Sequence, residues 1–398
     1  MSGAVETAAR TRDWRANTAL ILFWQVTASI CFYTIYAVTP FVRAEFNVSA
    51  TLVGVMLTAL TLGYTLFLIP VGAIIDTYGE GRALLVGLLG LAVGVVAVTV
   101  APTYPTLLVA VFVVGAFYAT AIPGTNKAVF NAIPQDRLNT SMGIKQVGVT
   151  AGSGISAVLI PWFGATRYGW EVGFVLTAVL AVVVSGVFHV LYRSGGGDRD
   201  GTRLGIRSHF ETPEYTLLTA AGFFLGAGLF TTIGYTILFV DEAVGASVVF
   251  AGVTLAAAQV FGSAGRVAFG WLADTLNAPL TVSTLRILLL QTAASFVLFL
   301  VLTLVETPLV SLVLFSVLGF FVLGFTGIYY SCIGSLVATE EMGSATAGGQ
   351  LTLNFGALVA PPAFGFLVDV SGYDAAWSML GVSTFVALVL LIVIYRRV

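Results

Sequence analysis

The sequence predicts an all-α membrane protein with 12 transmembrane helices in two pseudo-symmetric six-helix bundles. Three observations carry that prediction. Hydrophobic residues make up 58% of the 398 positions and charged residues only 9%, with a mean hydropathy of +1.00, far from the composition of soluble domains. Apolar runs of about 20 residues, the length that crosses a bilayer, recur along the whole chain. The first six of these runs also align with the second six. In hydrocarbon each backbone polar group needs a partner within its own segment, and runs this long and uniformly apolar form helices rather than barrel strands.

Taken in order, the first six spans are expected near 18–42, 51–75, 83–101, 105–130, 140–163 and 171–192. The second six are expected near 214–240, 248–273, 281–304, 307–337, 344–368 and 374–395. Arg10, Arg12 and Arg15 precede the first run, which is longer than the apolar core of a cleaved signal peptide and is read as a retained span. The long polar interruption is "RSGGGDRDGTRLGIRSHFETPE", rich in Gly and mixed charge, which reads as a linker. The expected organisation is therefore a first bundle over 1–192, a linker over 193–213 and a second bundle over 214–398. Arg82, Arg137, Arg193, Arg199, Arg203, Arg207, Arg396 and Arg397 join the amino-terminal arginines on one side, against Arg43 and Arg167 on the other. By the positive-inside rule this is a multi-pass protein of the cytoplasmic membrane, with both termini and the linker cytoplasmic.

The repeat is legible residue by residue. At an offset of 198, Phe41 pairs with Phe239, Ser49 with Ser247, Gly54 with Gly252, Gly72 with Gly270 and Asp76 with Asp274. After a gap the offset becomes 204, pairing Arg82 with Arg286, Gly115 with Gly319, Asp136 with Glu340, Gln146 with Gln350 and Gly152 with Gly356. Single matches carry little in so biased a composition; their order along the chain carries the argument. An even number of spans per half gives both repeats the same orientation, the parallel arrangement of transporter halves that rock about a site between them.

"GAIIDTYGEGR", from Gly72 to Arg82, resembles the signature loop of the major facilitator superfamily, and "GWLADT", from Gly270 to Thr275, resembles a weaker second copy. The chain departs from that pattern at Thr77, where the family usually has a basic residue, and the second copy lacks the following glycine. The resemblance implies that these loops lock the cytoplasmic side of the carrier, with Asp76, Arg82 and Asp274 as switch residues and Gly72, Gly79 and Gly270 as the other gating-motif positions. The alternative for each charge is a loop residue capping a helix end.

The charges inside the spans point to a substrate. All 19 acidic residues fall in loops or near helix ends. Arg266 lies eight residues before Asp274, about 12 Å inside the span boundary, where an arginine usually faces a cavity or a partner. Gln259, Ser263 and Arg266 share one helical stripe, and the repeat equivalent of Arg266 is Leu68. The structural alternative is an arginine bonded to backbone carbonyls or capping a neighbouring helix. Lys145 also lacks a repeat counterpart, since Gly349 stands opposite; it either faces a cavity beside Gln146, Thr150 and Ser153 or snorkels. Gln350 and Asn354 continue the equivalent face of span eleven. Gly148, Gly152 and Ser156 form a separate stripe suited to close packing. On span one Gln25, Ser29, Tyr33 and Tyr36 recur at helical spacing, either lining a pathway or packing. Lys127 is expected to snorkel, with Asn126 beside it near the vestibule.

Two cations with no carboxylate in reach favour an anionic ligand. The substrate-binding set is therefore expected to be Arg266, Lys145, Gln146, Gln259, Ser263, Gln350, Asn354, Tyr33, Tyr36 and Gln25. The pattern is similar to anion-carrying branches of the superfamily such as the oxalate–formate antiporters. The expected function is an alternating-access secondary transporter of a small organic anion, acting as a monomer by exchange or facilitated diffusion. Proton coupling would need an intramembrane group that titrates, and Lys145 is the one candidate. The alternatives are a proton-coupled drug or metabolite exporter, which would be expected to carry a membrane carboxylate and a Gly-Pro pair where this chain has "GVTAGSG", and, more remotely, a non-transporting sensor. A net charge of −2 suggests no nucleic-acid partner, and Cys31 and Cys332 in apolar runs suggest no disulfide framework. With His189 and His209 as the two histidines, no catalytic constellation, metal centre or cofactor is expected.

Overall fold

The computed structural model describes residues 14–134, 137–192, 209–338 and 341–398; residues 193–208 of the expected linker, and the pair Asp136 and Glu340, lie outside them. Among the described residues there is no strand, and 12 segments are long and apolar enough to cross a membrane. The first half comprises α1 (Trp14–Ala37), a short α2 (Thr39–Glu45), α3 (Ala50–Tyr78), α4 (Glu80–Thr99), α5 (Tyr104–Tyr118), α6 (Ala121–Ala132), α7 (Leu138–Gly164) and α8 (Trp170–Leu191). The second comprises α9 (Pro213–Glu242), α10 (Val248–Thr275), α11 (Leu280–Val301), α12 (Pro308–Val322), α13 (Thr326–Ser335), α14 (Met342–Ser371) and α15 (Tyr373–Tyr395).

Local sequence explains the boundaries. Threonine followed by proline in the first turn starts α5, α9 and α12, because proline at that position gives up an N–H that has no helical partner in any case. The Ser247 side chain caps α10 by accepting from Phe250 N. Gly79, at φ 85°, makes the one-residue turn between α3 and α4, a conformation that a residue with a Cβ adopts only with strain. Thr and Ser inside the helices mostly return their hydroxyl hydrogen to the carbonyl three or four residues back, so they add polarity to a span without demanding a distant partner.

Spans four and ten are each broken into two helices, at 119–120 and at 323–325, equivalent places at the offset of 204. In span four Pro123 lacks an N–H and its ring crowds the carbonyl of Ala119. In span ten the break contains Gly324, where a Cβ would fall 2.2 Å from the Phe320 carbonyl oxygen.

The chain forms two compact units, 1–35 with 59–202 and 36–58 with 203–398. In the first, Trp24 is wholly buried and its Nε1 donates to Leu84 O at 3.1 Å, while Phe32 stacks on Tyr118 at 4.1 Å between ring centroids. Glu80, buried at the start of α4, accepts from the Tyr192 hydroxyl at 2.9 Å. Burial and that neighbouring carboxylate push the Tyr192 phenol up, so it stays protonated and donating. In the second unit Trp377 anchors an aromatic cluster with Phe239, Phe315 and Phe364. Residues 36–58 belong to this unit through specific bonds. Asp369 accepts from Ala50 N at 2.9 Å and Thr51 N at 2.8 Å, capping α3. Glu242 receives Arg43 at 2.7 Å and Tyr373 at 2.9 Å. Thr58 donates at 2.7 Å to Leu358 O, the carbonyl that Pro362 strips of its helical partner.

The repeat is physical as well as textual. A Cβ on Gly115 would meet Leu60 O at 2.0 Å, and one on its repeat mate Gly319 would meet Ala258 O at 2.3 Å. Leu60 and Ala258 are themselves separated by 198, so α3 against α5 and α10 against α12 touch backbone to backbone at matching points. Gly152 likewise lies against Val26 O and Gly356 against Phe223 O, at 2.6 Å and 2.0 Å from the added Cβ.

Candidate substrate site

In the first unit the polar side chains of α1, α6 and α7 meet. Lys145, on α7, is wholly buried, and its Nζ donates at 2.8 Å to Oδ1 of Asn126 on α6. Thr125, next to that asparagine, donates at 3.1 Å to Gln25 Oε1, and Gln25 Nε2 donates at 3.2 Å to Ser29 Oγ. Ser29 Oγ lies 3.4 Å from the Tyr118 hydroxyl. This connected set arises because Gly148 and Gly152 bring α7 close to Gln25 and Ser29 on α1, and because the break in span four leaves α6 as a short, separately placed helix. Ser153 is buried with no hydrogen-bond partner for Oγ. Gln146 is exposed, unlike its neighbour Lys145. Tyr33 is half-buried with its ring edge-on to Phe32 at 5.3 Å.

The motif segment, which the structure makes helical on both sides of Gly79, meets the same short helix. Lys127 Nζ lies 2.8 Å from Asp76 Oδ1, so α6 presents adjacent residues to Lys145 and to Asp76 in the last turn of α3. Arg82 is exposed. Gly72 and Gly270, a repeat pair, are alike in that an added Cβ would meet nothing within 4 Å. Asp274 is exposed at the end of α10.

In the second unit Arg266 is half-buried, and its Nε donates at 3.0 Å to Leu323 O at the break in span ten. The backbone bond fixes the plane of the guanidinium. One turn earlier Ser263 Oγ returns its hydrogen to Gln259 O at 3.0 Å, and Gln259 Nε2 is a buried donor with no partner. On α14 Gln350 accepts a short bond from the Tyr330 hydroxyl and donates from Nε2 to Asn354 Oδ1 at 2.8 Å. Asn354 is wholly buried and its Nδ2 has no partner. Tyr36 is buried, with its ring 3.7 Å from the position of a Cβ on Gly234.

Sequence reasoning thus left out Asn126 as the Lys145 partner, the Lys127–Asp76 pair, Thr125 and Tyr118, and both helix breaks. The breaks had a signal, Pro123-Gly124 in one half and Gly324 with Gly327 in the other, since interrupted helices at corresponding positions mark sites in repeat transporters. Among the described residues no group of His, Cys, Asp or Glu could hold a metal ion.

Comparison with known proteins gives a consistent family. A family model described as Major Facilitator Superfamily matches residues 21–350. A hexuronate transporter of Bacillus subtilis (strain 168) is 24% identical over 364 residues, 86% of this chain and 85% of that protein. Monocarboxylate transporter 13 of Bos taurus is 24% identical over 318 residues, 78% of this chain and 73% of that protein. Among solved structures, a bacterial homolog of the human lysosomal transporter Spinster, inward-facing and occupied, has a TM-score of 0.75 at 15% identity, covering 96% of each chain. The nucleoside transporter NupG has a TM-score of 0.78 at 12% identity, covering 95% of this chain and 99% of its own.

Proposed function

The chain belongs to the Major Facilitator Superfamily, and from that premise we propose that it carries a small organic anion across the cytoplasmic membrane by alternating access, through exchange or facilitated diffusion. Lys145 is the observation that carries this reading. Its ammonium is wholly buried on a membrane-spanning helix, it is bonded to a neutral amide oxygen, and no carboxylate pairs with it among the described residues. A cation held out of water without a counter-charge is costly, and a bound anion relieves the cost. In the second unit Gln259 Nε2 and Asn354 Nδ2 are buried donors that want an acceptor, and a carboxylate offers only acceptors. Arg266, oriented by its bond to Leu323 O, is the intramembrane cation of that unit. Two relatives take carboxylates by their names, hexuronate and monocarboxylate, which supports the same solute class. The arginine distribution along the sequence supports a reading with both termini cytoplasmic, and the carrier is taken to act as a monomer.

The test is counterflow in proteoliposomes loaded in turn with D-glucuronate, L-lactate and oxalate. Trans-stimulated uptake of at least one labelled carboxylate is expected, and it should vanish in Lys145→Met. Absence of counterflow for every carboxylate, together with uptake of a neutral or cationic solute that survives Lys145→Met, overturns the anion reading.

A further inference from the structure

The second unit holds a buried polar group that the anion reading does not use. Gln291, on α11, is 1% exposed, and neither atom of its carboxamide has a hydrogen-bond partner. An amide left in that condition forfeits the hydrogen bonds it had in water. It borders a small cavity of about 10 Å³, whose lining includes Thr292 and Ser295 of the same helix, Thr384 of α15, and Phe321 and Phe325 at the break between α12 and α13.

The hydrogen-bonding capacity of the lining defines the guest. Thr292 Oγ1 donates to Leu288 O, Ser295 Oγ to Gln291 O and Thr384 Oγ1 to Leu380 O, each at 2.7 Å. Each hydroxyl has therefore spent its single hydrogen and turns only lone pairs to the cavity. Gln291 adds one carbonyl acceptor and one NH₂ donor. A guest must donate to several oxygens and accept from one nitrogen, and it must fit a space the size of one water. An anion would meet lone pairs, and a cation would find no carboxylate to balance it. Water, with two hydrogens to give to these oxygens and a lone pair for Gln291 Nε2, is the guest that fits.

The two halves of the repeat differ at this place. At the offset of 204 the counterpart of Gln291 is Gly87, where an added Cβ would fall 2.1 Å from Thr120 Oγ1. In the first half, then, the break residue itself fills the space, and its hydroxyl donates at 2.8 Å to Phe117 O. In the second half the break residue equivalent to Thr120 is Gly324, where an added Cβ would meet Phe320 O and Gly265 of α10 rather than enter the cavity, and the polar group beside the break is Gln291 on the neighbouring α11.

We propose that this cavity is a site for one structural water, which accepts from Gln291 Nε2 and gives its two hydrogens to lone pairs among Gln291 Oε1, Thr292, Ser295 and Thr384, and that the water makes the break in span ten a hinge. With no direct bond between Gln291 and the break, α11 follows a change in the angle between α12 and α13 by re-aiming one water, while the direct bond at the break is the one from Arg266 to Leu323 O. The proposal is independent of the solute. Its test is hydroxyl-radical footprinting of the purified protein by X-ray radiolysis, which marks side chains beside bound water. Oxidation of Phe321 or Phe325 is expected in the wild type, falling at least five-fold in Gln291→Leu, with amide hydrogen exchange over residues 321–327 several-fold slower in that variant. Thr384→Val, which removes one acceptor at nearly constant volume, is the second variant and should reduce the same oxidation. Absence of oxidation in the wild type, or oxidation unchanged in both variants, overturns the proposal. Protection of the two rings by sodium chloride but not by choline chloride identifies the guest as a cation and overturns it as well.

Discussion

The first and second units break the same span at the same repeat position but secure their intramembrane cations in different ways. Lys145 is held by a side chain, Asn126, carried on the short helix beyond the break. Arg266 is held by a main-chain carbonyl, Leu323 O, at the break itself. A side-chain partner can be exchanged by one substitution and moves with its helix. A carbonyl partner exists only because the helix is interrupted, so Arg266 reports the geometry of the break. The difference also suits the two cations, since an ammonium is a compact point charge and a guanidinium keeps further N–H groups when one is committed.

The largest effect is expected where a charge is removed outright. Lys145→Met should lower carboxylate counterflow by about 100-fold or more, the loss expected when one partner of a buried charged contact is truncated, while the protein still inserts and elutes as a single species. Counterflow within a few-fold of wild type would break the assignment of the first unit's cation. Arg266→Gln is expected to lose a comparable or somewhat smaller amount, with Arg266→Lys recovering only part, because the lysine cannot hold the Leu323 carbonyl and a ligand in one plane. Full recovery by lysine would show that the carbonyl bond is incidental.

Asn126→Asp sharpens the contrast from the other direction. It places a carboxylate against Lys145 and supplies the counter-charge internally, so half-saturation should rise about ten-fold or more with the fold intact; an unchanged affinity for D-glucuronate or L-lactate would argue that Lys145 does not meet the solute. The Lys127–Asp76 pair is partly exposed, with side chains 20% and 48% accessible, and such pairs contribute about 1 kcal/mol or less. Lys127→Met should therefore slow transport only about two- to five-fold, and the exchange Lys127→Asp with Asp76→Lys should restore most of it. Smallest of all is the effect of an imposed pH gradient on carboxylate accumulation, expected to be near zero because the described acids sit at the helix ends. Uphill uptake that follows an inward proton gradient and disappears in Lys145→Met would recast Lys145 as the proton carrier.

The sequence by itself determined the solvent, the number and order of the spans, the internal repeat and the family resemblance, because hydropathy over some 20 residues, loop charge and motif spacing are local properties that survive without knowledge of any partner. It also marked the depth of Lys145 and Arg266, which follows from counting residues along a helix of fixed rise. Only the tertiary structure decided what those cations touch. Asn126 lies 19 positions from Lys145, Leu323 lies 57 from Arg266 and Asp369 lies 318 from Thr51. Such pairings depend on which glycines let two backbones meet and on which carbonyls a break releases. The run over 105–130 is strongly apolar on average whether or not the helix is continuous, so mean hydropathy carried no sign of the interruption. The break in span four follows from Pro123 crowding one turn of backbone; the space behind the break in span ten is lined by residues of α9, α11, α12 and α15 with Gln291 beside it, an arrangement made by four helices together.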